Sequence, residues 1–130
     1  MALIRMDFVS ESLMRTVTIN CIVPVDKIRT KPSEKPFKTL YLLHGIFGNY
    51  TDWVSGTRIQ RWAEEHDLAV IMPSGENKFY VDNPRSNDNF SAFIRKELVE
   101  VTRRAFPLSH KKEDTFLDGL SMGGYGATVN

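Results

Sequence analysis

The sequence predicts an α/β fold with a mostly parallel sheet and an antiparallel hairpin at its N-terminal end. Short apolar runs at 39–43 and 68–72 have the length and continuity of strands buried on both faces, and a further short apolar run at 115–118 precedes a glycine-rich turn. Segments with helical periodicity separate these runs, and such alternation requires parallel crossovers with helices on the sheet faces. We expect the order strand, strand, strand, helix, strand, helix, strand, followed by a tight turn.

The hairpin is predicted from two runs, 2–9 and 15–23, with a turn at Glu11 and Ser12. The second run alternates apolar with mostly polar residues, as a half-buried strand does. Cys21 falls on its apolar face, so we interpret it as a small buried hydrophobe and not as a reactive thiol.

Two helices are predicted between the strands. The first starts near Ser55 or Thr57, both possible caps, and runs to about His66; Trp53 and Trp62 are expected in the core. The second is capped by Asp88 or Asn89 and ends before Pro107, and its apolar stripe consists of Phe90, Phe93, Ile94, Leu98, Val101 and Ala105.

Two polar segments are predicted to be loops. Residues 26–38 mix charges with two prolines and form an exposed connection, and residues 74–89 form a long, Asn-rich loop. Long loops at the carboxyl edge of a sheet often shape a pocket, so we expect the second loop to influence substrate choice.

The central motif is Gly119-Leu120-Ser121-Met122-Gly123, which follows the last apolar run. In a G-x-S-x-G elbow the serine sits at the apex of a strained strand-to-helix turn, and the glycines relieve crowding around it. Ser121 is thus the candidate nucleophile, and the N–H of Met122 is a candidate oxyanion donor beside the first helical turn.

A five-residue pattern alone matches many glycine-rich turns, including those that bind phosphate or dinucleotides. The stretch lacks the Lys-Ser/Thr of a phosphate-binding P-loop and does not spell G-x-G-x-x-G. Acyl transfer remains the leading chemistry.

A second glycine-containing loop, residues 44–48, leaves the end of the first buried strand. The carboxyl ends of parallel strands meet at one edge, where ligands bind in open α/β sheets. This loop and the Ser121 elbow should therefore share an edge, and we expect a second oxyanion donor here.

Composition limits the possible partners. The 130 residues carry a formal net charge of +1 with both signs interspersed, which gives no basic surface for nucleic acid or anionic lipid. No apolar run is long enough for a signal peptide or a membrane span, and Cys21 alone cannot form an intrachain disulfide. We expect a cytoplasmic protein whose partner is a small molecule.

Three segments together carry a family resemblance: LLHGIFGNYTDW, LAVIMPSGENKFYVD and TFLDGLSMGGYGA. They resemble the tributyrin esterase and esterase D (S-formylglutathione hydrolase) group of the α/β-hydrolases. The resemblance extends over nearly the whole chain, which would be the N-terminal part of a single α/β-hydrolase domain (1–130), truncated just after the nucleophile elbow.

The resemblance implies that Ser121 attacks short-chain acyl esters and forms an acyl-enzyme. The backbone N–H groups of Ile46 and Met122 would form the oxyanion hole, and His44, Gly45, Gly119 and Gly123 would support the loops. No metal or organic cofactor is implied.

In α/β-hydrolases the acid and then the histidine of the triad follow the serine, and only residues 122–130 follow Ser121 here. Of the histidines, His44 is expected to shape the oxyanion loop, and His66 and His110 to be solvated or capping residues. A hydroxyl without a base is a weak nucleophile. We therefore expect this chain by itself to be nearly inactive.

The sequence is compatible with three hypotheses about function. The chain belongs to a serine carboxylesterase completed by residues outside it, to a thioesterase of the S-formylglutathione type, or to a non-catalytic module derived from a hydrolase. The last strand would expose an unpaired edge, so a complementary C-terminal fragment or a homo-oligomer is expected to cover it.

Overall fold

The structure, a computed structural model, describes residues 2–26, 36–45, 47–76, 80–83, 85, 88–119 and 122–129. Five strands form one sheet: β1 (Ala2–Ser10), β2 (Arg15–Val23), β3 (Thr39–Leu43), β4 (Ala69–Met72) and β5 (Thr115–Gly119). The helices are α1 (Asp52–Gly56), α2 (Ile59–Glu65), α3 (Phe90–Ala92), a π-helical turn (Phe93–Glu97), α4 (Leu98–Ala105) and α5 (Met122–Val129).

The sheet is mixed, with strand order β1-β2-β4-β3-β5. β1 and β2 form the predicted antiparallel hairpin, from Ala2 opposite Val23 to Ser10 opposite Arg15. β4 runs antiparallel to β2, whereas β3 pairs in parallel with both β4 and β5. The hairpin and the parallel centre are therefore confirmed. Among the described strands, β5 lies at the edge.

Apolar side chains cover both faces of β3 and β4, as predicted, whereas β5 alternates half-buried and exposed residues. Tyr41 and Leu43 point to a cluster that includes Phe93 and Leu98, and the intervening Leu42 points to a second cluster beside Ala63 of α2. This alternation follows from the two-residue period of a strand. The result is a sheet sandwiched between helices.

Cys21 is fully buried in the cluster that includes Phe93 and Leu98, on the apolar face that the alternation predicted. Burial in apolar surroundings raises the pKa of its thiol to about 12. The thiol is therefore protonated at neutral pH, in agreement with its interpretation as a small buried hydrophobe.

The first predicted helix is divided in two. α1 ends at Gly56, and Thr57 follows in extended conformation. The Thr57 hydroxyl accepts the N–H of Ile59 at 3.2 Å, but Arg58 and not Thr57 is the N-cap of α2, and Ser55 lies inside α1. Trp53 is half-buried against the second cluster, but the prediction for Trp62 was wrong. Trp62 is 65% exposed because Ile59 and Ala63, four residues apart, form the buried face of this short helix.

The second predicted helix contains the π-helical turn, which changes its buried face. A π turn holds one residue more than an α turn, so the inward face falls one position later beyond it. Thr102 is buried and Ala105 is exposed, against the prediction that placed Ala105 in the apolar stripe. The Thr102 hydroxyl is accommodated there because it donates to the Leu98 carbonyl at 2.8 Å.

The start of that helix is also capped differently from the prediction. Asn89 occupies the N-cap without a side-chain cap bond, and the carboxylate of Asp88 pairs with Arg15. The first-turn N–H of Ala92 instead donates to Oδ1 of Asp82 at 2.9 Å. A residue seven positions before the N-cap therefore supplies the cap, which local sequence patterns do not reveal.

Glu97, the last residue of the π turn, binds the β1–β2 turn through hydrogen bonds. Its carboxylate accepts the Ser10 hydroxyl and the N–H groups of Glu11 at 2.8 Å and Ser12 at 3.4 Å. The Ser10 hydroxyl oxygen also accepts the Leu13 N–H at 3.1 Å. One side chain thus holds the hairpin turn in place.

We expect Glu97→Ala to lower the free energy of unfolding by about 1–3 kcal/mol, because it removes the charged acceptor shared by three donors. Urea denaturation of the intact protein containing residues 1–130 measures this change. Glu100→Ala is the matched control, since Glu100 lies exposed on the same helical segment. Equal stabilities of the two variants would contradict the role of Glu97.

Within the part of the chain that the structure describes, every helix is too short or too polar to cross a bilayer. Most of the predicted connection at 26–38, namely 27–35, lies outside the described residues.

Candidate active site

The two predicted site loops begin side by side at one edge of the sheet. β3 and β5 pair in parallel from Thr39 opposite Thr115 to Leu43 opposite Gly119, so both strands end at the same level. His44 and Gly45 follow the first strand directly. Only residues 120 and 121 connect Gly119 to the start of α5 at Met122, so the chain turns from strand to helix within two residues.

Two glycines allow this turn to pack against its neighbours. A Cβ on Gly119 would lie 2.4 Å from the carbonyl carbon of Gly123. A Cβ on Gly123 would lie 2.3 Å from the carbonyl oxygen of Leu43 and 2.7 Å from that of His44. In both cases the added Cβ would meet backbone atoms, which cannot move aside as a flexible side chain can. Glycine is therefore required at both positions, and α5 touches the end of β3 directly.

Ser121 and Ile46, the predicted nucleophile and one predicted oxyanion donor, lie outside the described residues. Met122 is the first residue of α5, where backbone N–H groups have no partner within the helix. Gly119 ends β5 opposite Leu43, which lies two residues before Gly45, and Gly123 lies against the Leu43 and His44 carbonyls.

His44 is 1% exposed and uses both ring nitrogens in hydrogen bonds. Its Nε2 accepts the N–H of Gly75 at 2.7 Å. Its Nδ1 lies 2.6 Å from the carbonyl oxygen of Gly45, which can only accept, so the proton resides on Nδ1. The imidazole is thus neutral and fully engaged, and it has no free nitrogen with which to take a proton from a nucleophile.

The rest of the loop after β3 is fastened by short-range hydrogen bonds. Gly45 accepts the N–H of Gly48 through its carbonyl oxygen at 3.1 Å. The Trp53 indole donates from Nε1 to the Leu43 carbonyl at 3.2 Å. The carboxylate of Asp52 accepts the Asn49 N–H at 3.2 Å. The start of α1 is therefore tied to the end of β3.

The other two histidines lie at the opposite end of the parallel strands. His66 follows α2 just before β4 begins, is exposed, and caps its helix through Nδ1 and the Trp62 carbonyl at 2.9 Å. His110 is exposed and precedes β5. A strand of five residues spans about 16 Å, so neither ring reaches the edge where β3 and β5 end.

Tyr80 contacts the site region, although the sequence analysis placed it only within the loop at 74–89. It is fully buried, and its hydroxyl donates to the His44 carbonyl at 3.1 Å. Burial raises the pKa of this phenol above its usual value. No short motif marks it, because its neighbours come from three separate segments.

Arg15 anchors the loop that carries Tyr80. Its guanidinium donates to Glu76 and to Asp88, the latter at 2.9 Å, and to the Leu13 carbonyl at 2.9 Å. The hydrogen bond with Glu76 is the main cause of the raised pKa of Arg15. Both ends of the described loop are thereby held to the β1–β2 hairpin.

A groove of about 400 Å³ opens beside the loop after β3. His44 and Gly45 form one side, and Trp53, Ser55 and Thr57 belong to the other. Its size suits a small organic molecule. Among the described residues, no group of three His, Cys, Asp or Glu side chains is arranged to hold a metal ion.

Comparison with known proteins identifies the family. The family model "Esterase", described as "Putative esterase", matches residues 10–129. The chain belongs to this esterase family. The acetyl esterase of Caldicellulosiruptor saccharolyticus is 46% identical over 134 aligned positions, which take in 100% of this chain and 50% of that protein.

Solved structures of esterases share the α/β-hydrolase fold of this chain. FphF, a fluorophosphonate-binding serine hydrolase of Staphylococcus aureus, is 35% identical with a TM-score of 0.85 over 96% of this chain and 49% of its own. The S-formylglutathione hydrolase FrmB of the same organism is also 35% identical, with a TM-score of 0.79 over 96% and 49%. The chain spans about half the length of these relatives.

The glycine contacts in this esterase chain lead to a paired prediction. Gly123→Ala should destabilise the protein by about 1–3 kcal/mol or more, because the added methyl meets backbone oxygens at 2.3 Å and 2.7 Å. Gly124→Ala should be neutral or slightly stabilising, since its Cβ comes no closer than 3.4 Å to any neighbour and alanine favours the helix. Thermal unfolding of both variants tests this, and similar melting temperatures would contradict it.

Proposed function

We propose that the protein containing residues 1–130 is a serine carboxylesterase that hydrolyses short-chain acyl esters through an acyl-enzyme on Ser121. The supporting observation is the contact of Gly123 with the Leu43 and His44 carbonyls. This contact brings the start of α5, which follows Ser121 in the chain, beside the end of β3. We propose that the nucleophile and the oxyanion donors come from these two neighbouring segments.

In the proposed reaction the Ser121 oxygen attacks the ester carbonyl carbon while a base takes the hydroxyl proton. The carbonyl oxygen becomes an oxyanion held by the N–H groups of Ile46 and Met122. Collapse expels the alcohol, which receives the proton from the base. Water then attacks the acyl-enzyme in the same way and releases the carboxylic acid and the free serine.

His44 supports one of these donors through geometry and not through proton transfer. The Gly45 carbonyl that its Nδ1–H binds belongs to the same planar peptide as the N–H of Ile46. We propose that this hydrogen bond, by fixing the Gly45 carbonyl, helps to fix the peptide that carries the Ile46 N–H.

The base of this reaction is proposed to come from a residue outside positions 1–130. All three histidines of the chain are described, and none has a free ring nitrogen at the edge where β3 and β5 end. Asp82 and Asp88 are engaged with Ala92 and Arg15. The Asp118 carboxylate accepts the Gly119 N–H and has no histidine to orient.

Replacing the proposed nucleophile tests the reaction. Ser121→Ala in the intact protein containing residues 1–130 should abolish fluorophosphonate labelling and lower p-nitrophenyl acetate turnover by at least about 10³-fold. Ser12→Ala, at the distant β1–β2 turn, should leave both unchanged. Labelling that persists in Ser121→Ala would refute Ser121 as the nucleophile.

A thioesterase of the S-formylglutathione type is the second candidate, favoured by the 35% identity with FrmB. Esters and thioesters share the nucleophile and oxyanion hole and differ in the leaving group. The ratio of kcat/KM for S-formylglutathione to that for p-nitrophenyl acetate decides between the two, and a ratio well above one selects the thioesterase.

The groove beside Gly45 is proposed to hold part of the ester. Ser55→Phe should narrow it and lower kcat/KM for p-nitrophenyl butyrate by about tenfold more than for methyl acetate. Ser55→Ala is the control and should leave the ratio unchanged, because it removes only an exposed hydroxyl. An equal effect of Ser55→Phe on both esters would place the substrate elsewhere.

A further inference from the structure

Tyr80 occupies an unusual position for a large aromatic residue. Its φ of 57° lies in the left-handed region, and its side chain is fully buried. Non-glycine residues in this conformation persist only where surrounding contacts determine them. The contacts of the ring and the hydroxyl therefore have to account for the strained backbone.

Two glycines from different segments make room for the ring. A Cβ on Gly75, which follows β4, would lie 2.4 Å from Cε1 of Tyr80. A Cβ on Gly126, in α5, would lie 2.4 Å from Cδ2 of the same ring. The ring thus fills the space between the segment after β4 and the helix after the elbow, in contact with both backbones.

The Tyr80 hydroxyl contacts the loop after β3, a third segment besides those of Gly75 and Gly126. It donates to the His44 carbonyl, and the two rings meet edge to face with centroids 5.8 Å apart. Gly75 in turn donates its N–H to His44 Nε2. Tyr80, Gly75 and His44 therefore form a closed set of contacts, to which α5 is joined through Gly126.

We propose that Tyr80 is a positioning residue that holds the loop at 44–45 and α5 in the arrangement that the oxyanion hole requires. This inference rests on the proposed function, since the two segments contribute the two proposed donors. Tyr80 acts through the His44 carbonyl on one side and the Gly126 backbone on the other.

The raised pKa of the Tyr80 phenol agrees with this role, because burial keeps the hydroxyl protonated and able to donate. Glycine at both 75 and 126 leaves the space that the Tyr80 ring occupies. Gly75 is buried directly behind the ring, and Gly126 lies inside a helix, where glycine is otherwise unfavourable.

The test compares Tyr80→Phe with Tyr41→Phe in the intact protein containing residues 1–130. Tyr41 is a matched control, because it is 3% exposed and its hydroxyl bonds to Oγ1 of Thr102 at 2.8 Å in the core. Each substitution removes one buried hydroxyl. Both variants should lose a comparable few degrees of melting temperature.

Only Tyr80→Phe should impair the reaction. We expect kcat for p-nitrophenyl acetate to fall about tenfold with KM changed less than twofold, because a misplaced donor weakens transition-state binding alone. The rate of fluorophosphonate labelling should fall by a similar factor. Unchanged kcat in Tyr80→Phe, or an equal loss of kcat in Tyr41→Phe, would overturn the proposal.

Hydrogen exchange separates this inference from the proposed function. Amides of peptides spanning 44–48 and 122–126 should exchange faster in Tyr80→Phe than in Tyr41→Phe, whether or not Ser121 is the nucleophile. Faster exchange in a protein without Ser121-dependent turnover would support the positioning role and refute the esterase proposal. Identical exchange in the two variants would refute the positioning role.

Discussion

The close approach of α5 to the end of β3 is the constraint on which the site geometry depends. Gly123 lies against the carbonyl oxygens of Leu43 and His44, at a distance that no side chain tolerates. This contact exists because β3 and β5 are neighbours in parallel register and end at the same level. Without it, the loop after β3 and the turn after β5 would be separated by the width of a side chain.

His44 connects this contact to the rest of the carboxyl edge. Its carbonyl meets Gly123 and the Tyr80 hydroxyl, and its ring binds the backbone on two sides. Tyr80 lies in the loop that Arg15 of β2 binds at Glu76 and Asp88. The β1–β2 hairpin therefore helps to hold the site in place. The site is therefore supported by elements that are distant in the chain.

The fold was largely predictable because its signals are local. Two-residue alternation marks β2, and continuous apolar runs mark β3 and β4. The buried faces of the helices were harder to predict, since the π turn shifts the phase by one residue and places Thr102 inward. Tyr80 was not identified as a site residue, and Asp82 was not predicted as a helix cap. Their partners lie far apart in sequence and are brought together only by the sheet order.

The contact of Gly123 with β3 has a further consequence for folding. A parallel strand that slips by one residue moves about 3.3 Å along its neighbour and turns its side chains to the other face. With β5 displaced in this way, the gap that admits the α5 backbone beside Leu43 would no longer face Gly123. Docking of α5 beside Leu43 therefore favours the observed register of β3 and β5 over a slipped one.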